Sequence, residues 1–129
     1  MIKNEDIQGK HYIADSNLFG GYNLYMEVEG LFPIENPEND SKFVIRGIVF
    51  GWEGTIDNPT NTCLDKKLKI YFDNIEEVNG FINKCQEISE EVFAETRRKL
   101  CMGMMHELAE KLTSDDFISY LINGKEQRN

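Results

Sequence analysis

The segment FVIRGIVFGW, residues 43–52, carries the strongest strand pattern in the chain and decides the fold. Positions on both of its sides are apolar or glycine, with Arg46 as the exception. A strand with two apolar sides is typical of the middle of a sheet, where both faces are covered. The sequence therefore predicts a central strand here, and the other elements are placed around it.

Alternating patterns on either side of this segment predict the remaining strands. Residues 22–28 and 64–72 alternate between inward apolar and outward positions, which is the period of a half-buried strand. The outward positions of the later strand are Lys67, Lys69 and Tyr71. A shorter strand is expected over residues 11–14. Residues 30–40 hold two prolines and several turn-forming residues, so we expect a long connection there.

The strand patterns end at Asp73, and three segments beyond it have helical spacing. Asp73 with Glu76 is a candidate capping box for a first helix, and Ser89 is a candidate N-cap for a second. A short third helix is expected between Thr113 and Gly124. Strands followed by helices predict an α+β fold, with an antiparallel sheet of about four strands in the N-terminal half and two or three C-terminal helices packed on one face.

Length and composition predict a single domain. The chain has 129 residues, of which 40% are hydrophobic and 29% charged, as in ordinary globular proteins. We expect the domain to cover residues 1–124, with residues 125–129 as a flexible tail. No apolar run approaches the roughly 20 residues that cross a bilayer, and the first six residues lack the apolar core of a secretory signal. We therefore expect a cytoplasmic protein that does not contact membranes.

The charge balance predicts which macromolecules the protein avoids. The formal net charge is −9, and residues 1–62 alone hold ten acids against four bases. Affinity for DNA and RNA comes largely from lysine and arginine neutralising the phosphate backbone. Direct binding of nucleic acid is therefore not expected, and a basic protein partner is the better match.

No motif in the chain predicts catalysis. The string at His106 has Glu110 where a zinc-protease helix needs its second histidine. Gly47, Gly51 and Gly54 follow a strand and its exit, where glycine indicates a bend or a close backbone approach and not a phosphate loop. Three cysteines lie at wide spacings and are read as free thiols, namely Cys63, Cys85 and Cys101. We expect no catalytic residue, no metal, no cofactor and no enzymatic activity.

The leading functional hypothesis is a protein-binding module with an acidic, aromatic surface. Tyrosine and phenylalanine supply interface anchors, while carboxylates steer a basic partner. The expected partner-binding residues are Tyr25, Glu27, Glu29, Phe32, Glu35, Glu38 and Asp40. Small immunity proteins that neutralise nuclease toxins, and phage-encoded inhibitors of host defence proteins, share this format of length, acidity and missing catalytic signature. We therefore expect an inhibitor that occupies the basic surface of a nuclease or another nucleic-acid-acting protein.

The alternative hypothesis is a pocket for a small anionic ligand such as a nucleotide. Arg46 interrupts the central strand, and Arg97 lies within the apolar stripe of the second helix. If both guanidinium groups converge near Trp52 or Tyr71, they would bind a phosphate or carboxylate bidentately and stack on the aromatic rings. In the opposing interpretation, each arginine lays its methylene groups on apolar surface and reaches water or a local acid.

Overall fold

The computed structural model describes residues 2–14, 20–35 and 41–111, of which 106–111 by their backbone alone. The predicted third helix, the predicted tail and the side chain of His106 lie outside the described residues. The described elements, in chain order, are α1 (Asn4–Ile7), β1 (His11–Ala14), β2 (Asn23–Pro33), β3 (Phe43–Gly54), β4 (Pro59–Phe72), α2 (Ile75–Asn83), β5 (Gln86–Ile88) and α3 (Glu90–Lys111).

The strands form one antiparallel sheet in the order β4-β3-β2-β1-β5. This confirms the α+β class and the antiparallel sheet. The predicted count of about four strands is wrong, because a fifth strand, β5, lies between the two long helices and pairs with β1. Its three residues, Gln86, Glu87 and Ile88, are too few to show an alternating pattern, so its pairing is decided by tertiary contacts.

The central strand β3 lies between β2 and β4, as residues 43–52 predict. Its glycines allow the neighbouring backbone to approach closely. A Cβ atom at Gly47 would overlap the carbonyl oxygen of Glu27, and one at Gly51 would approach that of Asn23 to 2.5 Å. Gly54 adopts φ of 84°, a left-handed conformation that favours glycine. The expectation of a close backbone approach is thus confirmed at Gly47 and Gly51.

Two apolar clusters use alternate residues of the same strands, and therefore lie on opposite faces of the sheet. The first contains Met26, Ile45 and the α2 residue Val78. The second contains Phe50 and Trp52 with two α3 residues, Phe93 and Leu100. The two long helices thus contribute to different clusters, which does not support the prediction that the helices pack on one face.

β2 is longer than its alternating pattern indicates. A register shift between Val28 and Gly30 marks a bulge, after which the strand continues to Pro33 opposite Phe43. The proline and glycine predict a connection over residues 30–33. The bulge instead allows strand pairing to continue, with the side chains after it pointing to the opposite faces from those that the earlier alternation predicts. Phe32 therefore lies on the sheet and not in a loop.

The helix starts follow local hydrogen bonds. Asn74, not Asp73, is the N-cap of α2, because its side chain accepts a hydrogen bond from the Glu77 backbone N–H at 2.9 Å. Ser89 caps α3 as predicted, with its Oγ accepting from the Val92 N–H at 3.1 Å. Both contacts satisfy backbone donors that the first turn of a helix leaves without partners.

A candidate anion-binding cleft

A cleft opens on the sheet where β2, β3 and β4 run past the region that α3 covers. Its volume is about 520 Å³. Its floor consists of two rows of residues paired across β2, β3 and β4. In the first row Arg46 lies between Gly30 and Lys69, and in the second Val44 lies between Phe32 and Tyr71. The lining residues are Phe32, Pro33, Ile34, Glu35, Val44, Arg46, Lys69 and Tyr71.

Arg46 is the central cation of the cleft. Its guanidinium carbon lies 3.9 Å from the centre of the Phe32 ring, an arrangement in which the ring face attracts the cation. The Nε atom is buried and has no hydrogen-bond partner among the residues that the structure describes. A buried donor without a partner costs roughly 1–3 kcal/mol. An acceptor that displaced the atoms covering Nε and took this hydrogen bond would recover that free energy.

The charges in the cleft are unbalanced. Across the part of the chain that the structure describes, neither Arg46 nor Lys69 forms an ion pair. Glu35 is exposed and also lines the cleft, so the three formal charges sum to a positive value. The cleft therefore offers two cations, one of them held in place by an aromatic ring, in a protein that is acidic overall.

The structure brings together only half of the predicted anion-binding residues. Arg46 and Tyr71 line the cleft, and Tyr71 is 52% exposed. Arg97 instead pairs with Asp65, donating from its Nε to Oδ1 at 2.9 Å and from its terminal nitrogen to Oδ2. Trp52 is 6% exposed and belongs to the aromatic cluster under α3. The two arginines therefore do not meet at one pocket, which the alternative hypothesis required, and Arg97 reaches a local acid as in the opposing interpretation.

Lys69 is the cleft residue that the sequence analysis missed as a ligand-binding candidate. Its outward position in the alternating pattern of residues 64–72 is confirmed by its exposure. That pattern gives no information on which β3 residue lies opposite. The pairing of Lys69 with Arg46 depends on the register between β3 and β4, which also contains two irregularities nearer the connecting turn.

The structure describes five of the seven predicted docking residues and places their side chains in different surroundings. Tyr25 was placed on the solvent side of β2, but its ring stacks on Phe50 at 5.1 Å and on Trp52 at 5.6 Å. Phe32 lies against the Arg46 guanidinium. Glu27, Glu29 and Glu35 are exposed. Glu38 and Asp40 lie outside the described residues.

Tyr25 turned inward because α3 covers this face as well. A strand with alternating polarity is expected to have one wet face. The helix supplies Phe93 and Leu100 to the second cluster, against which the tyrosine ring is half-buried. Glu27, two residues further along β2, has its Oε2 3.9 Å from the Nε2 of His11 and remains at the rim.

Several side chains outside the cleft have displaced pKa values. Burial raises the pKa of Tyr12 and that of Tyr22. The hydrogen bond from Arg97 lowers the pKa of Asp65. Among the described residues there is no group of three or more histidine, cysteine, aspartate or glutamate side chains that could hold a metal ion. No helix in the described ranges is long and apolar enough to cross a membrane.

Comparisons with protein-family models, with curated proteins and with solved structures found no match to this chain.

Proposed function

We propose that the protein is a non-enzymatic binding protein and that the cleft around Arg46 binds an anionic group, either a carboxylate or a phosphate. One observation carries this proposal: the Arg46 guanidinium is stacked on Phe32, has a buried Nε without an acceptor, and forms no ion pair among the described residues. Arginine presents several donors in a fixed fork that matches both kinds of oxyanion.

The neighbours of Arg46 suit such a ligand. Lys69 adds a second positive charge from the adjacent strand, and Tyr71 adds an exposed ring that a flat ligand group would stack on. Glu35 at the rim opposes a highly charged anion. This combination favours a ligand that carries one oxyanion and an apolar or aromatic body over a bare polyanion.

The proposal is tested by titrating the purified protein with inorganic phosphate and with acetate at constant ionic strength, following the Arg46 Nε–H and the backbone amides by NMR. We expect saturable shifts at residues 32–35, 44–46 and 69–71. Arg46→Met retains a long side chain over Phe32 but removes the fork, and it should weaken binding at least tenfold, since a charge-assisted hydrogen bond contributes roughly 1.5–3 kcal/mol.

The matched control is Arg98→Met. Arg98 lies on α3, is exposed, and pairs at 3.8 Å with Glu95 one helical turn away. The substitution makes the same change in net charge without touching the cleft, so binding should stay within twofold of the unmodified protein. Equal affinities of Arg46→Met and Arg98→Met for both anions would refute the cleft.

A second candidate function is favoured by the acids on β2. Glu27 and Glu29 are exposed, and in the described ranges neither pairs with a lysine or arginine. Carboxylates that no lysine or arginine neutralises are available to a basic surface. The candidate is a cytoplasmic inhibitor, of the toxin-immunity or phage counter-defence type, that covers the basic surface of a nucleic-acid-acting protein.

Affinity purification from the native lysate tests this second candidate. A stoichiometric basic protein should be retained at low salt and released at high salt, because exposed charge pairs are screened beyond about 10 Å at 0.1 M. Replacing Glu27 and Glu29 by lysine should abolish retention. The same reversal at Glu91 and Glu95 on α3 should leave it intact, and equal loss in both variants would argue for net charge alone.

A further inference from the structure

The outer strand of the sheet has a regular, basic edge. From residue 66 to residue 72, β4 pairs with β3 in seven consecutive positions without a register shift, from Lys66 opposite Val49 to Phe72 opposite Phe43. β4 is the end strand of the sheet, so in the described part of the chain its second edge has no strand partner. The backbone groups on that edge are a template for one more strand.

The side chains along this edge select a partner by charge. Lys67 and Lys69 project on the cleft face at alternate positions, and Lys66 projects on the other face. All three are exposed, and among the described residues none forms an ion pair. Positions two residues apart on a strand are about 6.8 Å apart. An added strand with acids at alternate positions would therefore place one carboxylate opposite Lys67 and one opposite Lys69.

Edge lysines also occur in proteins that avoid further pairing, because the charge repels another sheet edge. Whether the lysines repel or attract an added strand depends on the sign of that strand's charge. A second copy of this chain, paired antiparallel about Leu68, would set Lys67 opposite Lys69 and is disfavoured by like charge. An acidic strand meets the same lysines as opposite-charge pairs, each of which stabilises a sheet.

We infer that the edge formed by residues 66–72 binds an extended acidic segment of a partner protein as a sixth strand. The segment carries aspartate or glutamate at the positions facing Lys67 and Lys69, and an apolar residue beside the exposed Tyr71 ring. The net charge of −9 opposes the approach of an acidic partner. At physiological salt, charges more than about 8 Å away are largely screened, so the three lysines at the edge dominate the electrostatic interaction with the segment.

Nucleic acid is the competing occupant for a basic strand with an aromatic neighbour, since bases stack on exposed rings while lysines meet phosphates. The unpaired backbone edge favours the peptide, because only a polypeptide offers the alternating N–H and C=O groups that continue a sheet. The inference goes beyond the cleft, because Lys66 and Lys67 do not line it.

The test uses the full chain and a blocked heptapeptide of alternating glutamate and threonine, with amide hydrogen exchange as the readout. Slower exchange at the amides of residues 66–72 on adding the peptide is the expected result. The same peptide with every amide N-methylated keeps the charges but removes the backbone donors, and should give no protection. Protection by both peptides, or by neither, overturns the inference.

Further measurements distinguish binding at the β4 edge from binding of nucleic acid and from binding in the cleft. Lys67→Glu should weaken peptide binding about fivefold or more, because a cross-strand attraction becomes a repulsion, while Lys99→Glu on α3 should change it less than twofold. Binding of oligothymidine in place of the peptide would overturn the acidic-strand assignment. Arg46→Met should weaken phosphate binding at least tenfold and leave peptide binding unchanged, so a failure of the edge and a failure of the cleft give different results.

Discussion

The residue Asp65 combines an unusual backbone with a defined partner. Its φ is 51°, a left-handed conformation that aspartate and asparagine tolerate better than most residues. The carboxylate accepts hydrogen bonds from Arg97 in a bidentate arrangement that joins β4 to α3. Both side chains are 40% or more exposed, so the pair contributes at most about 1 kcal/mol to stability.

Asp65→Asn tests the pair through pH. The hydrogen bond from Arg97 is the largest cause of the lowered pKa of Asp65, and burial opposes it. The folded carboxyl therefore loses its proton at lower pH than in the unfolded chain. The pair stabilises the fold above the ordinary value of 3.8, and this contribution is lost as the pH falls below it.

Urea unfolding at pH 7 and at pH 3 should thus show asparagine less stable than aspartate at pH 7, with the difference shrinking at pH 3. Asparagine has the same shape and tolerates the same backbone, so strain does not enter the comparison. The matched control is Asp57→Asn, in the exposed turn between β3 and β4. A difference that persists unchanged at pH 3 would show that the carboxylate charge is not involved.

Single residues differ in how far the sequence predicts their surroundings. Arg46 was expected to interrupt an apolar strand, and it does so on the face where the cleft opens. Helical spacing correctly places Arg97 on the same side of α3 as Phe93 and Leu100. Its partner is Asp65, whose left-handed backbone in β4 is not predicted by any sequence pattern. Directions follow from local periodicity, whereas partners follow from register.

Helix α3 is placed against the rest of the chain by Gly103. A Cβ atom there would overlap the carbonyl oxygen of Ile56 and would lie 3.0 Å from the Cδ of Pro59. The helix backbone therefore touches the turn between β3 and β4 directly. This contact lies beside the second cluster, which contains Leu100 and is flanked by Ile56.

Gly103→Ala should lower the free energy of unfolding by about 1 kcal/mol or more, because the clash involves backbone and an inflexible ring. Gly80→Ala in α2 is the matched control, since nothing lies within 4 Å of its Cβ position. Both substitutions gain helix propensity of roughly 0.5–1 kcal/mol. Chemical unfolding should place the two variants on opposite sides of the unmodified protein, and equal stabilisation would contradict the close contact.

At the scale of elements, the long periodic segments were predictable, whereas two of the three short elements were missed. β3 and the two long helices lie where their patterns indicate, and the four-residue strand β1 was also expected. The three-residue β5 and the four-residue α1 were not expected. The end of β2 was missed because a bulge reverses which side chains face inward, so Phe32 and Leu31 break the alternation of residues 22–28.

The whole sheet has three inner strands and two outer ones. β1, β2 and β3 each have a hydrogen-bonded neighbour on both sides, while β4 and β5 have one in the described chain. Met26 and Ile45 are 1% and 0% exposed at the centre of the first cluster. Their amides open to solvent only when most of the sheet unfolds.

Amide hydrogen exchange should therefore be slower in the inner strands than along the open edge of β4. The amides of Met26 and Ile45 should exchange at the rate set by global unfolding, and roughly half of the amides of residues 66–72 should exchange much faster because they face the open edge. Comparison of exchange rates with the free energy of urea unfolding checks the ranking. Uniformly slow exchange along β4 would mean that another part of the chain covers this edge.

The chain reaches β5 and α3 only after β1 to β4 have been synthesised, and this order affects how the nascent chain folds. β1 to β4 form a meander of neighbours, but in the described chain β1 gains its second neighbour from β5, and Phe50 and Trp52 pack against Phe93 and Leu100 of α3. A ribosome adding roughly 5–20 residues per second completes the meander seconds before the segment that protects it. A nascent chain halted after β4 would display an aromatic face and a bare strand, which is the kind of surface that chaperones hold.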